Sequence, residues 1–285
     1  IARRLVPQAV LFRPLPLWSA AFDPAAVSGV DDTCGPTPQR AERSGGRWTF
    51  RTPAGFPVDE IAMEGLTDAV AHAKAMAWIS ENDDGSFGFH GPGSCALTVA
   101  VGDAGDGQRV GVEFGMPGEG GVYARVVGVG TRPVAILPST LLDLASHPAI
   151  DGSRLKVETE SLDVIVVGRG ASTVKLSRSG GVLVRSPPAD PESGPAVRLE
   201  GALAGLGALY AVHAGPAARD EGFDQPTLTI DETARAEGGA AAETLLTIGA
   251  ATRTGAADAY YARVTGINAT FAVSRRAADA IASSL

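Results

Sequence analysis

The stretch VYARVVGVG at 122–130 returns as YYARVTGIN at 260–268. The likeness extends on both sides of that pair. RVGVEFG (109–115) and ETLLTIG (243–249) come just before it, and CALTVAV (95–101) and PTLTIDE (226–232) before those. Farther back stand two long segments of helical character, 57–80 and 193–214. Ahead of each lies a Ser-Gly-Gly turn between alternating runs, RAERSGGRWTFRTP (40–53) and KLSRSGGVLVRSPP (175–188). Downstream, 132–148 is answered by 269–285. Solenoid arrays repeat every 20–50 residues or so, whereas this unit runs to about 130, which marks a duplicated domain rather than an array. Length differences between the two halves fall in Gly/Asp-rich loops such as GDAGDGQ (102–108).

Local chemistry suggests how one unit folds. In RWTFR, Trp48 and Phe50 face one way and Arg47, Thr49 and Arg51 the other, as in a half-buried strand behind a hairpin turn. Segment 57–80 sets Ile61, Leu66, Ala69, Val70, Ala73 and Ala77 at helical spacing, with Asp59 and Glu60 in the first turn to suit the helix dipole. Leu199, Leu203, Leu206 and Tyr210 form the equivalent stripe in 193–214. Gly201 and Gly205 each cost that helix about 1 kcal/mol against alanine, which predicts a helix lying very close to a sheet. Four strands follow, then short closing helices starting near Pro138 and Ser274. The expected class is α+β, two tandem copies of a β-β-β-α-β-β-β-β-α unit with largely antiparallel sheet, because strands come in runs. The expected domains are 25–154 and 155–285. Residues 1–24 form a lead-in read as the end of an upstream repeat.

Composition agrees: 45% apolar residues describe a globular chain, and 36 glycines with 19 prolines suit many strands and turns. A net charge of −8 argues against nucleic acid as a partner. No run reaches the ~18 apolar residues that span a bilayer, so membrane contact is expected only through a segment outside this chain. The opening IARRLVPQAVLFRPLPLW has neither an initiator Met nor a signal-peptide core and reads as part of something longer. Cys34 and Cys95 belong to no CxxC or Cys/His cluster, so zinc is not expected. One disulfide in an oxidising compartment and two buried thiols both remain open for them.

Several motifs resemble sites without meeting their requirements. DVIVVGRGAST (163–173) imitates a dinucleotide fingerprint at Gly168 and Gly170, but a strand follows where phosphate binding needs a helix, so it reads as a hairpin. SENDDGSFG (80–88), aligned on Gly85, would start a calcium loop at Ser80 and place Gly91 where a bidentate Glu is required; a polar turn explains it better. Ser172 and Lys175 match S-x-x-K by letters, but in a strand they face opposite sides. His72, His90, His147 and His213 have no paired spacing. The Asn268-Ala269-Thr270 sequon matters only in a eukaryotic secretory setting. Tyr123 with Arg125, and Tyr261 with Arg263, project from one strand face each. They are either an aromatic-plus-Arg binding patch or an Arg held on a Tyr ring as an internal strut, and their presence in both halves favours the strut.

The succession GG-W-x-F-x-x-P, helix, G-F-D-x-P-x-L-T-I, L-x-I-G, Y-A-R-V-x-G and closing V-S-x-x-x-x-x-x-L resembles a bacterial domain-of-unknown-function family found beside gliding-motility-type ABC transporter auxiliary proteins. The second half carries it best, through Gly222, Phe223, Asp224, Pro226, Leu228, Ile230, Ile248, Gly249, Tyr261, Ala262, Arg263, Val264 and Gly266. The first half keeps Trp48 and YARV and has FHGPGSCA in place of GFDQP. The resemblance implies an N-terminal membrane helix upstream, a periplasmic or extracytoplasmic location, and no catalytic residue or cofactor to carry over. The expected function is thus a non-enzymatic envelope scaffold or interaction protein, accessory to a transport or motility complex and partnered by its subunits. The alternatives are a carbohydrate- or peptide-binding module, or a hydrolase using His90, Asp83 and His213 between the halves.

Overall fold

A computed structural model of the chain describes residues 13–102, 108–127, 132–186, 194–235, 241–254 and 257–285. The first half of the lead-in, the centre of the GDAGDGQ loop and the GVG that closes the first copy of the repeated stretch lie outside these residues. The chain divides into two compact units, Ile1–Ala149 and Ile150–Leu285.

In the first unit the strands are β1 (Val27–Asp32), β2 (Gln39–Ser44), β3 (Arg47–Thr52), β4 (Ala77–Ser80), β5 (Cys95–Val101), β6 (Gln108–Gly118), β7 (Gly121–Val127) and β8 (Val134–Leu137). Helix α1 (Glu60–Ala71) falls between β3 and β4, and α2 (Ser139–Ala145) closes the unit. The second unit has β9 (Leu162–Arg169), β10 (Ser172–Ser179), β11 (Val182–Ser186), α3 (Gly194–Ala204), β12 (Ala208–Ala214), β13 (Leu228–Arg235), β14 (Ala241–Thr254), β15 (Ala257–Val264), β16 (Ile267–Ser274) and α4 (Arg275–Ala282). The sheets run in the orders β3-β2-β1-β5-β6-β7-β8-β4 and β11-β10-β9-β13-β14-β15-β16-β12. The class is α+β with mostly antiparallel sheet, and the second order is the first with every strand eight places on.

Turn chemistry sets the hairpins. Gly45 and Gly46 join β2 to β3 with positive φ, as Gly180 and Gly181 join β10 to β11, a conformation that glycine adopts without a Cβ penalty. The fingerprint-like stretch is the β9–β10 hairpin, with Arg169 opposite Ser172. Trp48 and Phe50 are buried from β3 while Arg47, Thr49 and Arg51 are exposed.

The long helices are shorter than the spacing predicts, and each unit has one strand more than expected. α1 ends at Ala71 with His72 as its C-cap, and Ala77 begins β4, paired to β8. α3 ends at Ala204, and Tyr210, expected on its apolar stripe, lies in β12 paired to β16. Alanine favours helix over strand, and pairing with a distant strand overrides that local preference. The buried face of α1 is Met63, Leu66, Thr67, Val70 and Ala71; Ile61, predicted on that face, is 84% exposed. Gly201 does not mark a close approach: a β-carbon there would meet nothing within 4 Å, and Gly205 lies beyond the helix.

Residues 13–26 pack on their own unit: Leu17 N–H donates to Ala73 O, Ala75 N–H to Leu15 O, and the Trp18 indole to Val70 O. A 3-10 turn, Pro24–Ala26, then leads into β1, as another, Thr159–Ser161, leads into β9.

Candidate functional site

Topology places the Tyr-x-Arg residues under a crossover. The β4 edge must connect to β5 in mid-sheet, so residues 81–94 cross β8, β7 and β6. In the second unit residues 215–227 make the same crossing from β12 to β13. Val122, Ala124 and Val126 of β7 point to the buried helix side, which turns Tyr123 and Arg125 toward the crossover.

Arg125 is 7% exposed. Its Nη1 donates to Asp83 Oδ2 at 2.8 Å, its Nε to Glu113 Oε2 on the facing strand, and its guanidinium lies 4.5 Å from the Phe89 ring centroid. Tyr123 meets Phe87 edge-on at 5.0 Å. Arg263 donates to Thr270 Oγ1 at 2.8 Å, Gly215 O at 3.0 Å and Asn268 Oδ1 at 2.6 Å, and burial holds its guanidinium pKa below the ordinary value. The Tyr261 hydroxyl accepts from Thr252 Oγ1 at 3.1 Å. Neither arginine rests on its Tyr ring, the partner expected from sequence; both bind the crossover. Asp83 and His213 are held inside their own units, His213 Nε2 lying 2.6 Å from buried Glu221 Oε1, while Glu221 Oε2 accepts from Thr270 and Ala218 N–H.

The crossovers share a detail that the sequence comparison missed. Gly88-Phe89 in the first unit stands where Gly222-Phe223 stands in the second. Both glycines have positive φ, and both press on the strand beneath, Gly88 on Met116 and Gly222 on Ala250. FHGPGSCA therefore does not replace the whole motif; Gly-Phe is kept, offset by the longer loop.

Cys34 and Cys95 form a disulfide with a Cα–Cα distance of 4.8 Å, joining the exit of β1 to the start of β5. Beside it Asp32 is buried, accepting from Cys34 N–H at 2.8 Å and Gln39 Nε2 at 3.3 Å. Burial outweighs these bonds and pushes the Asp32 carboxyl up to about 7. His72 bonds back to Asp68 and His147 to Asp143, His90 is exposed, and β10 turns Ser172 and Lys175 to opposite faces. Asp83 and Asp84 cap Gly85 and Ser86 in a polar turn.

Two cavities lie between a lead-in and a hairpin end. The first, about 350 Å³, is bounded by Trp18, Phe22, Trp78, Val101, Gln108 and Arg109. The second, about 310 Å³, is bounded by Arg154, Lys156, Glu158, Glu232, Ala234 and Thr244. Val101 pairs with Val27 and Gln108 in the first sheet as Ala234 pairs with Leu162 and Ala242 in the second, so the cavities occupy corresponding places. Burial, with the Asp231 charge adding to it, pushes the Glu232 carboxyl up to about 7. The signal for Glu232 was legible: Leu228, Ile230 and Glu232 alternate on one face, which puts an acid in an apolar register.

No protein-family model, curated protein or solved structure matches the chain.

Proposed function

We propose that the chain is a non-enzymatic extracytoplasmic scaffold or interaction protein, two tandem copies of one eight-stranded unit, accessory to a membrane transport or motility complex. The shared strand order, the paired Gly-Phe crossovers and the Tyr-x-Arg clamps support descent from one unit. The Cys34–Cys95 disulfide supports an oxidising compartment.

The observation that carries the interaction reading is a contrast between corresponding edge strands. Edge β3 shows Arg47 and Arg51 to solvent, Arg51 paired to Glu42, the charged blunting that keeps edges from pairing. Edge β11 shows Val182, 59% exposed, and Val184, 39% exposed. An apolar edge strand of this kind accepts a partner's strand by main-chain hydrogen bonds. Affinity purification of the full-length protein from gently solubilised native membranes tests the reading. Transporter or motility subunits should co-purify at stable stoichiometry and be lost with Val184→Lys, which blunts β11 as β3 is blunted. Recovery of the protein alone, or of the same partners with Val184→Lys, would overturn it.

A further inference from the structure

Glu232 is the clearest conflict between a residue and its place in the fold. It sits in a core-facing register of β13, 7% exposed, between Ile165 of β9 and Thr244 of β14. Its Oε1 is buried without a hydrogen-bond partner, and among the described residues no hydrogen bond or ion pair reaches the carboxyl group. An unpaired buried carboxylate costs several kcal/mol. The fold does not ask for it, since Val99, paired to Val30 and Val110 as Glu232 is to Ile165 and Thr244, fills the corresponding place in the first sheet.

The second cavity is built around this group. Ala234, Ala242 and Leu162 form apolar wall, Ser153, Ser161 and Thr244 supply hydroxyls, and two bases, Arg154 and Lys156, stand toward solvent. Lys156 is 3.8 Å from Glu158. Arg154 is exposed and its Nη1 lies over Gly266, only 2.5 Å from where a β-carbon would stand, at a turn whose positive φ already favours glycine. Once ionised, the buried acid calls for a cationic donor, and with Lys156 paired to Glu158, Arg154 is the base left in the wall for an anionic group. A ligand with both charges satisfies the whole set, and about 310 Å³ is at the small end of ligand cavities.

We propose that this cavity binds a small zwitterion of amino-acid to dipeptide size, its ammonium group seated at Glu232 and its carboxylate at Arg154. Bound this way, the ligand supplies the charge partner that Glu232 lacks, and the hydroxyls take its remaining polar groups. The corresponding first cavity, with Trp18, Trp78 and Val101, has no acid in its wall and would not bind it.

Calorimetric titration of the whole chain with L-alanyl-L-alanine, ethylamine and acetate tests the proposal. The dipeptide should bind saturably, with ethylamine and acetate at least about tenfold weaker because each satisfies one charge only. Glu232→Gln and Arg154→Ala should each weaken the dipeptide by about tenfold or more, while Val101→Ala leaves it unchanged. Glu232→Val, which copies the first sheet, provides a second folded variant if the glutamine variant does not fold. Absence of saturable dipeptide binding up to ~10 mM, undiminished affinity in Glu232→Gln or Glu232→Val, or ethylamine binding as tightly as the dipeptide would overturn it.

Discussion

The carbonyl oxygen of Phe87 fills the space that a β-carbon on Gly115 would need; the two atoms would stand 2.2 Å apart. Glu221 and Gly249 are in the same relation in the second unit, at 2.1 Å. Each crossover thus lies directly on the backbone beneath, and the atom in the way is backbone, which cannot rotate aside. Gly115→Ala and Gly249→Ala should each destabilise their unit by about 3 kcal/mol through overpacking. Gly201→Ala, on the open face of α3, should instead stabilise by about 1 kcal/mol. Urea unfolding of the three variants gives both signs.

Arg125 neutralises two carboxylates in a place where water barely reaches. Arg125→Ala leaves Asp83, with 12% of its side chain exposed, facing Glu113 without a cation, and should cost about 3–5 kcal/mol. Arg125→Met, which keeps the volume over Phe89, should not recover this loss unless Asp83 is made Asn as well. Arg263→Ala removes hydrogen bonds to a hydroxyl, a carbonyl and an amide, and should cost about 1–3 kcal/mol. Chemical unfolding that ranked Arg263→Ala above Arg125→Ala would contradict the clamp as described.

The disulfide closes a loop with a sequence separation of 61 between Cys34 and Cys95. Loop-closure entropy for that length corresponds to about 4 kcal/mol, an upper figure when the reduced chain keeps residual structure. Unfolding with and without a thiol reductant should show a loss of about 2–4 kcal/mol, and a Cys34→Ala/Cys95→Ala variant should match the reduced protein and not respond to reductant.

Two buried acids set an unusual pH dependence. Asp32 and Glu232 keep their protons in the folded chain up to about pH 7, whereas the unfolded chain releases them near 3.8 and 4.5. Between about pH 4 and 7 the folded state therefore binds more protons, so this contribution is fully present below the unfolded values and is lost as pH rises through 7. At about 1.4 kcal/mol per pKa unit, the loss is about 4 kcal/mol for Asp32 and about 3 for Glu232. Unfolding at pH 5 and pH 8 should show greater stability at pH 5 from these groups. Glu232→Gln should reduce that difference and be the more stable protein at pH 8.

Much of each unit is legible because the relevant physics is local. The alternation of Trp48 and Phe50, the Ser-Gly-Gly turns and the hairpin at Gly170 all follow from backbone period and glycine geometry within a few residues. The starts of α2 at Ser139 and α4 at Arg275 fall where Pro138 and Ser274 mark them. The helix-like runs misled beyond Ala71 and Ala204, where alanine-rich sequence favours helix locally and pairing with β8 and β16 overrides it to make β4 and β12 strands.

The crossover partner of each arginine was beyond any local pattern. Asp83 is 42 positions from Arg125, and Gly215 is 48 from Arg263. What the letters alone carry is the α+β class, the hairpins and the faces of the short strands, since those depend on neighbours along the chain. What depends on the folded sheet is the crossover that buries the Tyr-x-Arg face, the pairing of Cys34 with Cys95, and the cavity around Glu232. The first two arise where the chain leaves one sheet edge and returns to the middle, and the cavity where the lead-in to β9 meets the far end of the β13–β14 hairpin; each brings together side chains whose separation along the sequence carries no periodic signal.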